Sequence, residues 1–206
     1  MKVVNWITLL ALGVNVSCMG LAPIYDTAIT HKGLTVGGGI GYHQYEVESS
    51  SGFIHIHDGM QGIRPDVAVS YAFSNWFSLV GRAGVIIGTD IPQGNPAQEP
   101  SFGLGLKFST PWQIFNLGLR AEADWPRLAS LTPMMGFSTR KGHEIITLGI
   151  QTAFGIAPTG AFINLHPLRG SHLFAAFGED EICIGVGYTY NFPRKGKEDG
   201  NEVDEE

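Results

Sequence analysis

Two histidines one residue apart, His55 and His57, with Asp58 beside them, come closest in this chain to a metal-ligand motif. In an extended backbone residues i and i+2 share a face, so the two imidazoles would present together. No second short-spaced ligand pair completes the set, so no metal is expected and the residues read as imidazoles in a solvated loop. No cofactor is expected. Glu122 and Asp124 repeat the spacing. Two carboxylates so placed can hold a proton between them, but Arg82 and Arg120 are available as counter-ions, and ion pairing is the expected role. Ser and His are both present without a G-x-S-x-G turn or any other signature linking a nucleophile to a base. Gly37-Gly38-Gly39-x-Gly41 lies inside an alternating stretch with no helix after it, so it reads as room for close packing or curvature, not as a phosphate loop. The catalytic reading is therefore "none".

The amino-terminal end carries a different kind of chemistry. Lys2 precedes a largely apolar run at 3–16, and small residues follow, the layout of an export signal over 1–17. Val14-Asn15-Val16-Ser17-Cys18 is similar to the box at which bacterial lipoproteins are cut and acylated on the cysteine. Val16 and Ser17 fit, while Asn15 stands where Leu, Val or Ile is usual. The resemblance implies lipidation of Cys18. Residues 18–33 then form a lipid-anchored tether, in which Pro23 and Gly33 discourage regular structure. At the other end 193–206, rich in acidic residues and without an aromatic, is expected to be a disordered tail.

These groups need a scaffold, and between 34 and 192 the sequence alternates with period two. Eight strands are expected, at 34–47, 62–73, 76–88, 101–109, 113–124, 143–156, 161–166 and 182–192. The seventh is the least regular, because Phe162-Ile163-Asn164-Leu165 does not alternate. Short turns at 74–75, 110–111 and 157–160 alternate with long connections at 48–61, 89–100, 125–142 and 167–181. That pattern predicts an all-β, eight-stranded antiparallel up-and-down barrel, closed so that no edge remains. His43, His55, His57, His143, His166 and His172 would then lie at or near the long-loop end.

Composition decides which face is outside. Only 20 of the 159 residues in 34–192 are charged. The face opposite the large apolar residues is mostly Gly, Ser, Ala and Thr, a poor solvent face but good filling for a narrow interior. Its charges have both signs, and Arg82, Lys107, Arg120, Glu122 and Asp124 are expected to pair in the lumen. Arg64 and Asp66 belong to the same face. Apolar rows of about 11 residues, at ~3.3 Å each and tilted near 45°, reach roughly 25 Å, the height of a membrane belt. Trp76, Trp112, Tyr188, Tyr190 and Phe192 cluster near the short-turn end, as interfacial aromatics do. A net charge of −6 argues against nucleic acid as a partner. The expected partner is the outer-membrane bilayer; no protein or small ligand is named.

The closing segment 182–192, with Tyr188, Tyr190 and Phe192, resembles the terminal strand of small bacterial outer-membrane β-barrels. The hairpin from Val67 through Phe73-Ser74-Asn75-Trp76 to Leu79 recurs in type among them. Cys18, Ala22-Pro23-Ile24-Tyr25 and Lys32-Gly33-Leu34 are similar to the lipoprotein-like subset found in Bacteroidota-type bacteria. The resemblance implies an outer-membrane protein of structural or interaction role without catalysis. A soluble periplasmic lipid- or ligand-binding barrel, with the apolar face inward, and a lipid-modifying barrel enzyme are the alternatives.

Overall fold

The computed structural model describes residues 21–51, 54–110, 112, 114–125, 128–153 and 160–193, without the side chains at 47–51, 54–57, 128, 153 and 193. The expected signal over 1–17, Cys18 and the tail beyond Pro193 lie outside them. Ten strands follow in order: β1 (Gly33–Ser51), β2 (Ile54–Ser74), β3 (Phe77–Asp90), β4 (Pro96–Ser109), β5 (Phe115–Trp125), β6 (Leu128–Ser138), β7 (Glu144–Ala153), β8 (Gly160–Leu165), β9 (Ser171–Phe177) and β10 (Glu181–Pro193). Each pairs antiparallel with its sequence neighbours, and β1 pairs with β10 from Gly33 opposite Pro193 to Tyr45 opposite Glu181, so the sheet closes. Closure removes the backbone edge around the girth of the barrel, while the β1–β2 hairpin beyond Tyr45 and Met60 stands above it paired only with itself.

The expectation of eight strands is corrected to ten. The two additional strands, β6 and β9, lie inside 125–142 and 167–181, which had read as long loops. Two strands added to an up-and-down array invert what lies between them. Strands β7 and β8 therefore run opposite to the expected sense, with Gly160, where β8 begins, at the other end; 157–159 of the expected turn lie outside the described residues. The long connections at 48–61 and 89–100 are also largely strand, since β1 and β2 remain paired as far as Ser51 opposite Ile54. His143 and His166 consequently lie in the connections at the end of the barrel that carries Gly33 and Pro193, with His172 at the start of β9, and not at the opposite rim. That Gly33/Pro193 end is the lower rim below, and the other end the upper rim.

The alternation holds strand by strand. On β2, Val67, Val69, Tyr71 and Phe73 are exposed while Arg64 and Asp66 are buried; on β5, Leu117, Leu119 and Ala121 face out while Asn116, Arg120, Glu122 and Asp124 face in. Leu104 keeps 69% of its surface and Val67 63%, against 1% for Arg64. The bulky side chains line the exterior and the charges line the lumen.

A second correction concerns 18–33. Its described part is not a free tether. Residues 21–31 run without regular structure through the middle of the barrel, and Leu21, Ala22, Ile24, Tyr25 and Ala28 are almost wholly buried there. Gly33, at φ 122°, turns the chain from this thread into β1, a backbone conformation that costs glycine little.

Candidate functional site

The thread is packed where the lumen wall is apolar. Leu21, Ile24, Tyr25 and Ala28 form one cluster with Met134 of β6, Phe162 of β8, Phe174 and Ala176 of β9, and Cys183 of β10. The glycines of β1 and β10 make the seat of Tyr25. A Cβ added at Gly39 would stand 2.4 Å from its Cζ, and one at Gly187 2.4 Å from its Cδ1. This gives Gly39 a reason that the sequence could show only as room for close packing; Gly37, Gly38 and Gly41 instead lie close to the neighbouring strands. Gly187→Val is expected to destabilise the barrel by about 1–3 kcal/mol through overpacking, read as a lower urea midpoint for the refolded protein in detergent.

Polar anchors fix the thread at successive levels. The Ala22 N–H donates to Gln151 Oε1 at 3.0 Å, and Gln151 Nε2 donates back to the Ala22 carbonyl at 2.7 Å. Asn164 Nδ2 donates to the carbonyls of Ile24 and Asp26, each at 3.1 Å. Lys107 Nζ reaches Asp26 Oδ1 at 2.9 Å and the carbonyls of Thr27 and Ile29 at 2.6 and 3.0 Å. The Glu144 carboxylate accepts the N–H groups of Ala28 at 2.7 Å and Ile29 at 3.1 Å. An irregular segment in a barrel interior has no ladder to satisfy its backbone, so these side chains supply the partners.

The residues expected in the lumen are brought together there. Arg82 lies 2.5 Å from Asp124 and 3.4 Å from Glu122, and Arg120 lies 2.7 Å from Glu122 and 3.7 Å from Asp26. All four residues of the Arg82, Arg120, Glu122 and Asp124 group are buried. Lys107 joins them through Asp26, a partner that the sequence did not point to. Higher in the lumen Arg64 contacts Asp66 at 3.0 Å, Ser101 at 2.8 Å and His43 Nδ1 at 3.0 Å, while His43 Nε2 lies 2.5 Å from Glu181. Above them Tyr45 donates to Glu99 at 2.6 Å, and Tyr45, Met60 and Ile86 pack together.

Trp76, Trp112, Tyr188, Tyr190 and Phe192 are all exposed at or near the lower rim, each keeping half or more of its surface. Ring contacts extend the group, tilted from Trp76 to Phe77 and Phe77 to Phe108, stacked from Trp112 to Phe115 and edge-on from Tyr190 to Phe192. Phe102 and Trp125 stack on the exterior at the upper end of β5. His55 and His57 pair through their backbones with Ser50 and Glu48, and their side chains are not described. Among the described residues no three His, Cys, Asp or Glu side chains are grouped to hold a metal.

At the lower rim the lumen opens into a vestibule of about 640 Å³, floored by the thread from Asp26 to Thr30 and walled by Thr35, Ser78, His166 and Thr189, with Lys32 and Arg169 among its lining residues. His166, in the β8–β9 connection, faces Thr147 Oγ1 at 2.8 Å and the Ser171 carbonyl at 3.2 Å. Burial pushes its pKa down to about 4. The unfolded chain therefore binds the proton first as pH falls, so the contribution of His166 is complete above about pH 6.5 and is lost toward pH 4. Between pH 7 and pH 4.5 wild type is expected to lose about 2 kcal/mol more than His166→Gln in urea titrations of the refolded barrel.

A closed antiparallel barrel with an apolar exterior and a charged, filled lumen defines the class: a β-barrel of the outer-membrane type. No protein-family model matches the sequence, and no curated protein matches it. Among solved structures it is similar to Ail, the attachment invasion locus protein of Yersinia pestis in complex with the heparin analogue sucrose octasulfate, at 14% identity over 77% of this chain and 99% of that one, with a TM-score of 0.34. A KdgM porin aligns at 12% identity over 75% of this chain and 99% of that one, TM-score 0.40. These likenesses are too distant to carry a ligand or partner across.

Proposed function

We propose that the chain is an exported outer-membrane barrel, stoppered by its own amino-terminal segment, with a structural or interaction role and no catalysis. One observation carries this reading, the inverted polarity. Exposed Leu, Ile, Val, Phe, Tyr and Trp side chains cover the outside of the sheet while Arg64, Arg82, Lys107 and Arg120 are buried within it. In water such an exterior would be an apolar patch far beyond what soluble monomers carry, whereas hydrocarbon solvates it. A soluble ligand-binding barrel needs the opposite arrangement. The lumen carboxylates and imidazoles are engaged with one another, with arginines or with the thread, which favours a fixed interior over a reacting centre.

The lower rim faces the periplasm in this reading. Both strands that close the barrel end there, and the tail after Pro193 is dense in charge, so hairpins cross the bilayer in its place. Acylation of Cys18 completes the proposal, supported by the sequence preceding it. The test is fractionation. The folded protein should migrate faster unheated than boiled on a mildly denaturing gel and should resist carbonate extraction with Cys18→Ser in place. Clean release of that variant by carbonate would sink the membrane reading. Loss of fatty-acid labelling in Cys18→Ser tests the anchor, and unchanged labelling refutes it.

A further inference from the structure

The thread runs from the lower rim to the low side of the upper rim, where β8 begins and β9 ends. Leu21 lies under the upper rim, against Gly160 at the start of β8 and Gly178 in the β9–β10 turn, and its carbonyl accepts from Arg64 at 3.3 Å. Ten residues later the His31 carbonyl accepts from Asn191, two positions before β10 ends at the lower rim. An extended stretch of that length spans up to ~35 Å, enough to traverse an apolar belt of roughly 25 Å. Every level between is held by the side chains of Gln151, Asn164, Lys107 and Glu144 described above, so the path is fixed along its length.

Below Leu21 the lumen is occupied by 22–31. Beside Leu21 the upper rim is low on one side. There β8 and β9 have 6 and 7 residues, whereas β1 and β2 have 19 and 21. We propose that the chain crosses the membrane through the lumen of its own barrel and displays its processed amino-terminal end at the cell surface, on the face opposite its carboxyl terminus. The proposal rests on the outer-membrane reading and adds a topology to it. Cys18 is three residues from Leu21, at most ~10 Å along the chain. An acyl group on Cys18 therefore enters the outer leaflet beside the upper rim, and the thread is held by lipid above and by Glu144 and Lys107 below.

The experiment places one short epitope at three positions of the full-length protein in cells: between Gly20 and Leu21, after Gln93 in the β3–β4 turn at the upper rim, and after Glu206. Antibody is expected to bind the first two on intact cells and the third only after the outer membrane is permeabilised. An amino-terminal epitope that stays silent until permeabilisation, while the Gln93 epitope is read on intact cells, overturns the threading and leaves the barrel reading standing. A Gln93 epitope silent on intact cells defeats the orientation and the threading together. Gly20→Cys with a membrane-impermeant maleimide repeats the comparison without an insertion: labelling of intact cells supports the threaded path, and labelling only after permeabilisation overturns it.

Discussion

A barrel refolded from a chain that begins at His31 is expected to conduct ions across a planar lipid bilayer, whereas one that begins at Leu21 stays silent. The ten strand pairings that close the sheet do not involve the thread, so the wall can form without it. Ten strands enclose more space than the eight whose interior side chains just fill, and here that extra space is taken by Leu21, Ile24, Tyr25 and Ala28. Once the thread is gone, water enters. It can satisfy Gln151, Asn164, Lys107 and Glu144, which otherwise hold thread backbone or Asp26, so the polar wall remains solvated instead of collapsing. The apolar footprint left by the thread, chiefly Phe162 and Phe174, narrows the passage without closing it. Current through single barrels at fixed voltage is the readout, with heat-modifiable migration as the check that both proteins are folded. A folded but non-conducting barrel without the thread would show that the wall side chains alone block the lumen.

The same thread explains where the sequence could be read and where it could not. Period-two alternation located β1 to β5, β7 and β10 because their lumen faces are small or polar and their outer faces bulky, and β8 was expected at 161–166 as the least regular of the eight. The alternation fails at the two short strands, β8 and β9. Phe162 points inward on β8, and Phe174 and Ala176 point inward on β9, because each packs against the thread. Ser171-His172-Leu173-Phe174-Ala175-Ala176-Phe177 is apolar on both faces for that reason and read as loop. In β6, Pro133 and the consecutive Met134 and Met135 blurred an alternation that is otherwise present, with Met134 again turned toward the thread. The internal charges were legible, since an Arg, Glu or Asp within a glycine- and serine-lined face has few other places to go. Asp26 was not, because nothing local marks a polar residue in an irregular segment as the partner of Lys107. Its signal was indirect. Leu21, Ile24 and Tyr25 are too apolar for a solvated linker, and a lumen face that turns apolar on one side of the barrel needs something to cover it.

Lys107→Met is expected to lower the stability of the full barrel by about 2–3 kcal/mol, because it removes the buried ammonium from a partly buried Asp26 carboxylate and from two thread carbonyls. Methionine keeps much of the volume, so the loss falls on the ammonium. Asp26 would retain Arg120 at 3.7 Å and the Thr27 N–H at 2.8 Å, the Thr27 carbonyl would lose the ammonium, and the Ile29 carbonyl would keep the Thr27 hydroxyl at 2.9 Å. Arg82→Met makes a useful contrast, since Glu122 keeps Arg120 at 2.7 Å and the pair it breaks, Arg82 with Asp124, lies within the wall itself. The two substitutions should part company in the barrel that begins at His31. There Asp26, Thr27 and Ile29 are absent and water reaches the site, so Lys107→Met should cost less than about 1 kcal/mol, while Arg82→Met should cost much of what it costs in the full chain. Urea midpoints of refolded proteins in one detergent give all the values required. A Lys107→Met penalty that persists without the thread would place the role of Lys107 in the wall, and one that vanishes assigns it to holding the thread.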